Sequence, residues 1–385
     1  MMLIRLLVLF AFLPLSSQSW GQSIPLAGDI LFTHADADGE VFEFITLKRL
    51  NLNSLQFTDN GICTNNSFRK NEEDLTFPIT GLMDIEAGTL IRVYGDSTGT
   101  NELNSSDGII TIFSNALGGF SNSGEQIIAI IGTMQGLVNC TGTGSNSFIS
   151  GINWGNPDWT AGATSSNTSK APGTTTDFAE TTIANDDAIW FSGSVSGNEA
   201  TIISTSSTGV RNSSNWSGTN IGSGTFTPLK NILLNESNYV SGVVALSSST
   251  STTANLNLSN LAFGSTNSNT RYLVSIGENI TPSTLVDRYT CYSPNLDFAA
   301  AQYVVTAVVP LINNTCAGAS TGSGKVVYFN YGLPNSLSLT GFSANKCYSL
   351  HVYAINGNGY SANYSSTPAS FNFFTGNLVS SLIAY

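Results

Sequence analysis

The sequence of 385 residues has little charge, few histidines and few cysteines. Charged residues make up 10% of the chain, and 13 Lys and Arg stand against 25 Asp and Glu. Nucleic-acid binding through counterion release needs clustered basic side chains, so this composition excludes that class. The two histidines leave little scope for a metal centre or an acid–base mechanism built on imidazole. At 41% hydrophobic residues, the chain is too apolar for charge-driven disorder.

The N-terminal apolar run is too short to cross a membrane. Arg5 precedes the apolar residues 6–15, and a polar stretch follows to Gln22, with Ser19 and Gly21 as small residues before a cut. A membrane span needs about 20 apolar residues. We therefore predict a signal peptide over residues 1–22, no membrane span, and a mature protein that is secreted, extracellular or associated with the cell surface.

The five cysteines include no C-x-x-C pair, which argues against a thiol-redox or zinc role. In an exported protein they favour structural disulfides. Pairing within each half of the chain joins Cys63 to Cys140 and forms one bridge among Cys291, Cys316 and Cys347, with one thiol left over. We favour Cys291 with Cys316 because that segment is more loop-like, although the other pairings stay open.

Short apolar runs separated by Gly, Asn, Asp and Ser are typical of strands, and no segment keeps a 3.6-residue apolar period. The pattern predicts an all-β protein of two β-sandwich domains, residues 24–228 and 229–376, with a tail over 377–385. The boundary follows a Ser-, Gly- and Asn-rich stretch, and the acidic excess is concentrated before it. Strands in the first half are expected near 29–33, 41–47, 54–58, 75–79, 89–94, 109–113, 126–131, 148–152, 188–192 and 200–204.

The first domain contains the segments AGDILFTHADADGEVFEFITL (27–47), LQFTDNG (55–61), GEQIIAIIG (124–132) and INWGNPDWTAGATSSNTS (152–169). Together they resemble the lamin-tail-like β-sandwich of secreted bacterial proteins. The resemblance covers most of residues 24–220 and implies a non-catalytic module. Such modules often accompany secreted nucleases, phosphatases or adhesin-like repeats, whose catalytic signatures we do not find in this sequence.

The second domain contains RYLVSIG (271–277), GKVVYFN (324–330) and LSLTGFSANKCYSLHVYAINGNGYSANY (337–364). These segments resemble a fibronectin type III sandwich of Bacteroidota surface proteins. The resemblance implies that Tyr348 is the corner tyrosine of that fold. The residue alternation itself places Tyr348, Leu350, Val352 and Ala354 on the core face and His351 on the outward face.

An acidic turn is the candidate metal site. Asp36, Asp38 and Glu40 stand at alternate positions in DADGE. Calcium takes 6–8 oxygen ligands, and a tight loop with three carboxylates supplies part of such a set. The spacing lacks the Gly and Glu positions of an EF-hand loop, and a polar β-turn explains the same residues. Calcium is the one cofactor that the sequence suggests.

Two tryptophans form the candidate ligand site. Trp154 and Trp159 bracket a Gly-Asn-Pro-Asp turn. Exposed indole rings can stack on sugars, so this loop is a candidate carbohydrate platform. Core packing is the more ordinary use of tryptophan and remains the alternative.

No catalytic residues can be assigned from the sequence. His34 stands near Asp36 in what we expect to be an exposed loop, and no G-x-S-x-G elbow precedes His351. We therefore predict a non-enzymatic module for adhesion or assembly, with other surface proteins or extracellular polysaccharide as partners. A carbohydrate-binding accessory protein is the alternative, and an enzyme with a dispersed acidic site is a third hypothesis.

Overall fold

The chain is all-β, as predicted, in a computed structural model. The predicted signal peptide, the expected strand 75–79 and the tail lie outside the described residues. In the part that is described, no helix is long and apolar enough to span a bilayer. The described residues are 23–63, 68–69, 84–95, 99–102, 109–114, 120, 125–131, 136–137, 147–154, 160–161, 169–170, 179–183, 187–204, 209–219, 232–234, 240–263, 270–281, 292, 294–303, 307–308, 318–319, 324–358, 362–365 and 367–376.

The N-terminal part contains the strands β1 (Ile30–Asp36), β2 (Val41–Thr46), β3 (Leu55–Thr58), β4 (Phe68–Arg69), β5 (Leu90–Tyr94), β6 (Ile109–Phe113), β7 (Glu125–Ile131), β8 (Gly136–Leu137), β9 (Ser147–Trp154), β10 (Thr160–Ala161), β11 (Ser169–Lys170), β12 (Ala179–Ile183), β13 (Ala188–Phe191), β14 (Val195–Gly197), β15 (Trp216–Thr219) and β16 (Ile232–Leu234). A short helix, α1, spans Glu199–Ile202, and a 3₁₀ turn spans Ser213–Asn215.

The C-terminal part contains the strands β17 (Val240–Gly242), β18 (Ala245–Ser249), β19 (Ala254–Asn257), β20 (Leu261–Phe263), β21 (Arg271–Glu278), β22 (Ala307–Val308), β23 (Gly318–Ala319), β24 (Lys325–Tyr331), β25 (Ser336–Leu339), β26 (Lys346–Asn356), β27 (Asn363–Tyr364) and β28 (Ala369–Thr375).

Two sheets pack face to face in the N-terminal part. A six-stranded sheet has the order β15-β13-β1-β2-β5-β6, and a four-stranded sheet has the order β12-β9-β7-β3. Phe42 and Phe44 of β2 meet Phe57 of β3, with ring centroids 4.9 and 5.1 Å apart. All three rings are buried, and each contributes about 1.5–3 kcal/mol to the free energy of folding. This aromatic contact joins the two sheets.

A second pair of sheets packs in the C-terminal part. One sheet has the order β18-β19-β25, and the other has the order β24-β21-β26, with β27 and β28 both paired to β26. Tyr348, Leu350, Val352 and Ala354 lie in the core, which confirms the predicted alternation. The peptide N–H of Ser343 donates to the Tyr348 hydroxyl at 3.0 Å, the contact that a corner tyrosine makes with upstream backbone.

The buried apolar residues divide between Leu234 and Val240. One cluster runs from Ile30 to Leu234, and the next begins at Val240. Strand β16, which follows the predicted boundary at residue 228, pairs in parallel with β14, and Ile232 packs in the first cluster. The domain limits 24–228 and 229–376 stay a prediction.

The strand expected over 200–204 is wrong, because residues 199–202 form α1. The side-chain oxygen of Asn198 accepts a hydrogen bond from the Thr201 peptide N–H at 3.0 Å. That N-cap satisfies one free donor of the helix start, and the turn buries Ile202. The Asn198 cap therefore favours a helical turn, although the adjacent β-branched residues Ile202 and Ile203 favour a strand.

Candidate functional site

The acidic turn is the loop of the β1–β2 hairpin. Asp36 closes the hairpin opposite Val41, and its side chain accepts from the Gly39 peptide N–H at 2.9 Å. Burial raises the pKa of Asp36, as do the nearby Asp38 and Asp187 carboxylates, while the Gly39 bond opposes the shift. Within the described ranges, no three His, Cys, Asp or Glu side chains are grouped to hold a metal. Calcium at Asp36, Asp38 and Glu40 therefore stays a prediction.

Trp154 is not an exposed stacking platform, so that prediction is wrong. It is the last residue of β9, an interior strand between β7 and β12, and it is fully buried. Its ring meets that of Phe120 edge-on at 5.9 Å. An indole with both faces covered offers no surface to a sugar. Trp159 lies outside the described residues.

His34 is also buried and does not lie in an exposed loop. Strand β1 continues through Asp36 because it pairs with β2 on one side and β13 on the other, which leaves His34 only 1% exposed. His34 lies opposite Glu43 of β2, and Glu43 lies opposite Arg92 of β5.

His34, Glu43 and Arg92 form a continuous row on one face of the six-stranded sheet, here called the polar row. Directly opposed residues of neighbouring strands point to the same face, so the row follows from the register. The Arg92 Nε atom donates to Glu43 Oε1 at 2.5 Å. The Glu43 side chain is fully buried, and that of Arg92 is 14% exposed. The row is a buried ion pair with an imidazole beside it.

Burial governs the charges of the polar row. It raises the pKa of Glu43 to about 7, although the Arg92 guanidinium opposes the shift. Burial, followed by the positive charge of Arg92, lowers the pKa of His34 to about 3. The imidazole is therefore neutral at physiological pH and is too weak a base to take up a proton there. The row lies across three neighbouring strands, and its His34 and Glu43 side chains are shielded from solvent.

His351 is buried too, although the sequence places it on an outward face. It does lie on the face of β26 opposite the core, but it is 2% exposed. Its Nδ1 atom is 2.8 Å from Ser370 Oγ of β28, and its Nε2 atom is 3.4 Å from the Ile280 carbonyl oxygen. Burial lowers the pKa of His351, while the Ile280 contact raises it. The chain after β21 covers this part of the outer face.

Strand β28 presents an exposed edge. The side of this strand that points away from β26 is called here the β28 edge, and the side chains of Ser370, Asn372 and Phe374 beside it are exposed. Among the described residues β28 pairs only with β26, in an unbroken register. Its seven residues contain no charged side chain and no proline.

Two other edge strands, β18 and β24, carry features that hinder further pairing. Strand β18 contains a bulge between Leu246 and Ser248, and Tyr303 bridges to Lys325 at the start of β24. Charges, prolines, bulges and covering segments are the usual means by which sheet edges avoid new partners. Strand β28 has none of the first three, although β17 and β18 lie near it within the same sandwich. Its side away from β26 therefore suits pairing with another strand.

The two cysteines among the described residues differ in exposure. Cys63 is buried, whereas Cys347 is exposed and carries a free thiol, opposite Phe374 on the neighbouring strand. Cys140, Cys291 and Cys316 lie outside the described residues. The pairings of Cys63 with Cys140 and of Cys291 with Cys316 stay predictions.

The sequence shows the charged residues of the polar row, but the alternation of apolar and polar residues does not show which strands are neighbours. Glu43 stands inside VFEFITL and Arg92 inside TLIRVY, each with apolar residues on both sides. Opposite charges inside two apolar strands indicate a cross-strand pair once the strands are known to be neighbours. The register supplies that missing information.

Comparison with known proteins finds little. No protein-family model matches this sequence, and no curated protein matches it. One solved structure, from a study of the computer-based redesign of a β-sandwich protein, is 19% identical. The match covers 38% of this chain and 94% of that chain, with a TM-score of 0.21.

Proposed function

We propose that this chain is a non-enzymatic, secreted or cell-surface module that assembles with other surface components. In this proposal, the C-terminal sandwich receives an extended segment of a partner protein along β28. The observation that carries it is the uncharged, unbulged β28 edge. The resemblances to lamin-tail-like and fibronectin type III sandwiches support the same non-catalytic role.

Strand addition suits the chemistry of this edge. An added strand gains main-chain hydrogen bonds, and pockets for alternate side chains give it specificity. Phe374 is 38% exposed, so an apolar side chain of the added strand has an aromatic ring to pack against. The chain has a net charge of −12, yet β28 itself is neutral. A partner strand therefore meets no charge on the strand that it joins.

A labelled synthetic peptide with the sequence of β28 serves as the probe for an added strand. We expect it to bind the mature protein, and Phe374→Lys to weaken binding about tenfold, because the lysine removes the ring and introduces a charge at the edge. Fluorescence anisotropy measures the affinity. Val243→Lys is the matched control, since Val243 is 66% exposed and lies outside β28.

The proposal fails if the wild-type protein does not bind the peptide. It also fails if Phe374→Lys and Val243→Lys lower the affinity equally, because the effect would then come from added charge alone. Calcium at the Asp36 turn and polysaccharide as a partner remain proposals of their own. Carbohydrate binding would now need a surface other than that of Trp154.

A further inference from the structure

Arg271 joins the two parts of the chain. It begins β21 in the C-terminal sandwich, and its side chain is 5% exposed. Its Nη1 atom donates to Glu86 Oε2 at 2.8 Å, and its Nη2 atom donates to the Gly357 carbonyl oxygen at 2.6 Å. Glu86 belongs to the N-terminal part, 185 positions earlier in the chain. One guanidinium therefore binds both sandwiches.

Two further contacts cross the same junction. The Arg49 guanidinium of the N-terminal part lies 4.5 Å from the ring centroid of Tyr331 in β24. The Asn358 side-chain amide donates to the Thr89 hydroxyl at 3.1 Å. Tyr331 is thus held between cations of the two parts, because Arg271 also lies 5.8 Å from its ring. Burial raises the pKa of Tyr331, so its hydroxyl stays neutral.

The Arg271 guanidinium makes more contacts within the C-terminal part than with the N-terminal part. On its own side, the guanidinium is fixed by Gly357 and lies 4.9 Å from the Phe329 ring. On the other side, it depends on Glu86, whose side chain is 32% exposed. Charge-assisted hydrogen bonds at a partly buried site are among the stronger polar contacts. Domains joined by a small interface otherwise move relative to one another.

We infer that Arg271 and Glu86 form a latch that holds the two sandwiches in one relative orientation. Arg271 is the fixed part of the latch and Glu86 the releasable part. When the pair is broken, the buried guanidinium loses its counter-charge, and only the Arg49–Tyr331 and Asn358–Thr89 contacts oppose motion between the sandwiches, too weakly to hold one orientation. The sandwiches then sample several orientations, and the β28 edge no longer has a fixed position relative to the N-terminal part.

A distance measurement between two spin labels tests the latch in the full mature chain. One label goes on the free, exposed Cys347 and the other on a cysteine introduced by Ser54→Cys, at an exposed position before β3. We expect one narrow distance distribution for this labelled protein. Glu86→Gln, which removes the charge and little else, is expected to broaden the distribution.

Glu278→Gln is the control, because it breaks an exposed ion pair with Lys346 inside the C-terminal sandwich. It is expected to leave the distribution narrow. Thermal unfolding of each variant verifies that both sandwiches remain folded. A distribution that stays as narrow in Glu86→Gln as in Glu278→Gln, or one that is already broad with Glu86 intact, would overturn the latch. Neither result bears on the β28 peptide assay, so the two proposals fail separately.

Discussion

Arg92→Met is expected to destabilise the protein by about 3–5 kcal/mol above pH 7, because it leaves the Glu43 carboxylate buried without its counter-charge. Glu43 is fully buried and contacts Arg92 at 2.5 Å. Removing one partner of a buried pair costs more than the pair itself contributes. Urea unfolding, monitored by tryptophan fluorescence, measures the change.

A second substitution separates the lost charge from the lost volume. Glu43→Gln combined with Arg92→Met removes both charges, so we expect it to recover much of the stability lost in Arg92→Met. Lys346→Met is the comparison for an exposed pair, since both side chains of Lys346–Glu278 are almost half exposed and such pairs contribute little to stability. If Arg92→Met lowers the free energy of unfolding no more than Lys346→Met does, Glu43 and Arg92 do not form a buried ion pair.

Glu43→Gln alone is expected to change how stability depends on pH. Folding raises the pKa of Glu43 from 4.5 to about 7, so between these values the folded state keeps a proton that the unfolded chain has lost. Glu43 therefore makes the wild-type protein less stable as pH rises through this window. Relative to the wild type, Glu43→Gln should gain about 3 kcal/mol between pH 4.5 and 7, at about 1.4 kcal/mol per pH unit.

His34 makes stability depend on pH in the opposite direction, over a pH range that overlaps that of Glu43. Folding lowers its pKa from 6.5 to about 3, so between these values the unfolded chain takes up a proton that the folded state resists. Its contribution to stability rises with pH from about 3 to 6.5 and largely cancels that of Glu43 between pH 4.5 and 6.5. Urea unfolding at a series of pH values measures both profiles. A constant difference between Glu43→Gln and the wild type at every pH would contradict the raised pKa of Glu43.

Alternation along the chain was sufficient to predict the strands but not their neighbours. Strands β2, β5 and β6 fall within a residue of their expected limits, because runs such as VFEFITL have the composition of strands. The same pattern does not tell whether a strand is interior or at an edge. That is why His34 was expected to be exposed, and why Trp154 was a candidate platform as well as a candidate core residue, although β9 and β1 each have a partner on both sides.

The polar row and the junction depend on pairings between distant parts of the sequence. The cross-strand contact between Glu43 and Arg92 spans 49 positions, and the contact between Arg271 and Glu86 spans 185. Local sequence carries no information on which strands become neighbours at such separations. The β28 edge could be predicted only in part. Its lack of charge is visible in the sequence, but its place at the edge of a sheet is not.

Amide hydrogen exchange along β28 tests most directly whether this edge is open to a partner. In an antiparallel edge strand, alternate N–H groups point away from the neighbouring strand. For the protein alone, we expect fast exchange at alternate amides of Ala369–Thr375 and slow exchange at those bonded to β26. Adding the β28 peptide should slow the fast set. Slow exchange at every amide of β28 in the protein alone would mean that the edge is already paired, and would contradict assembly through this strand.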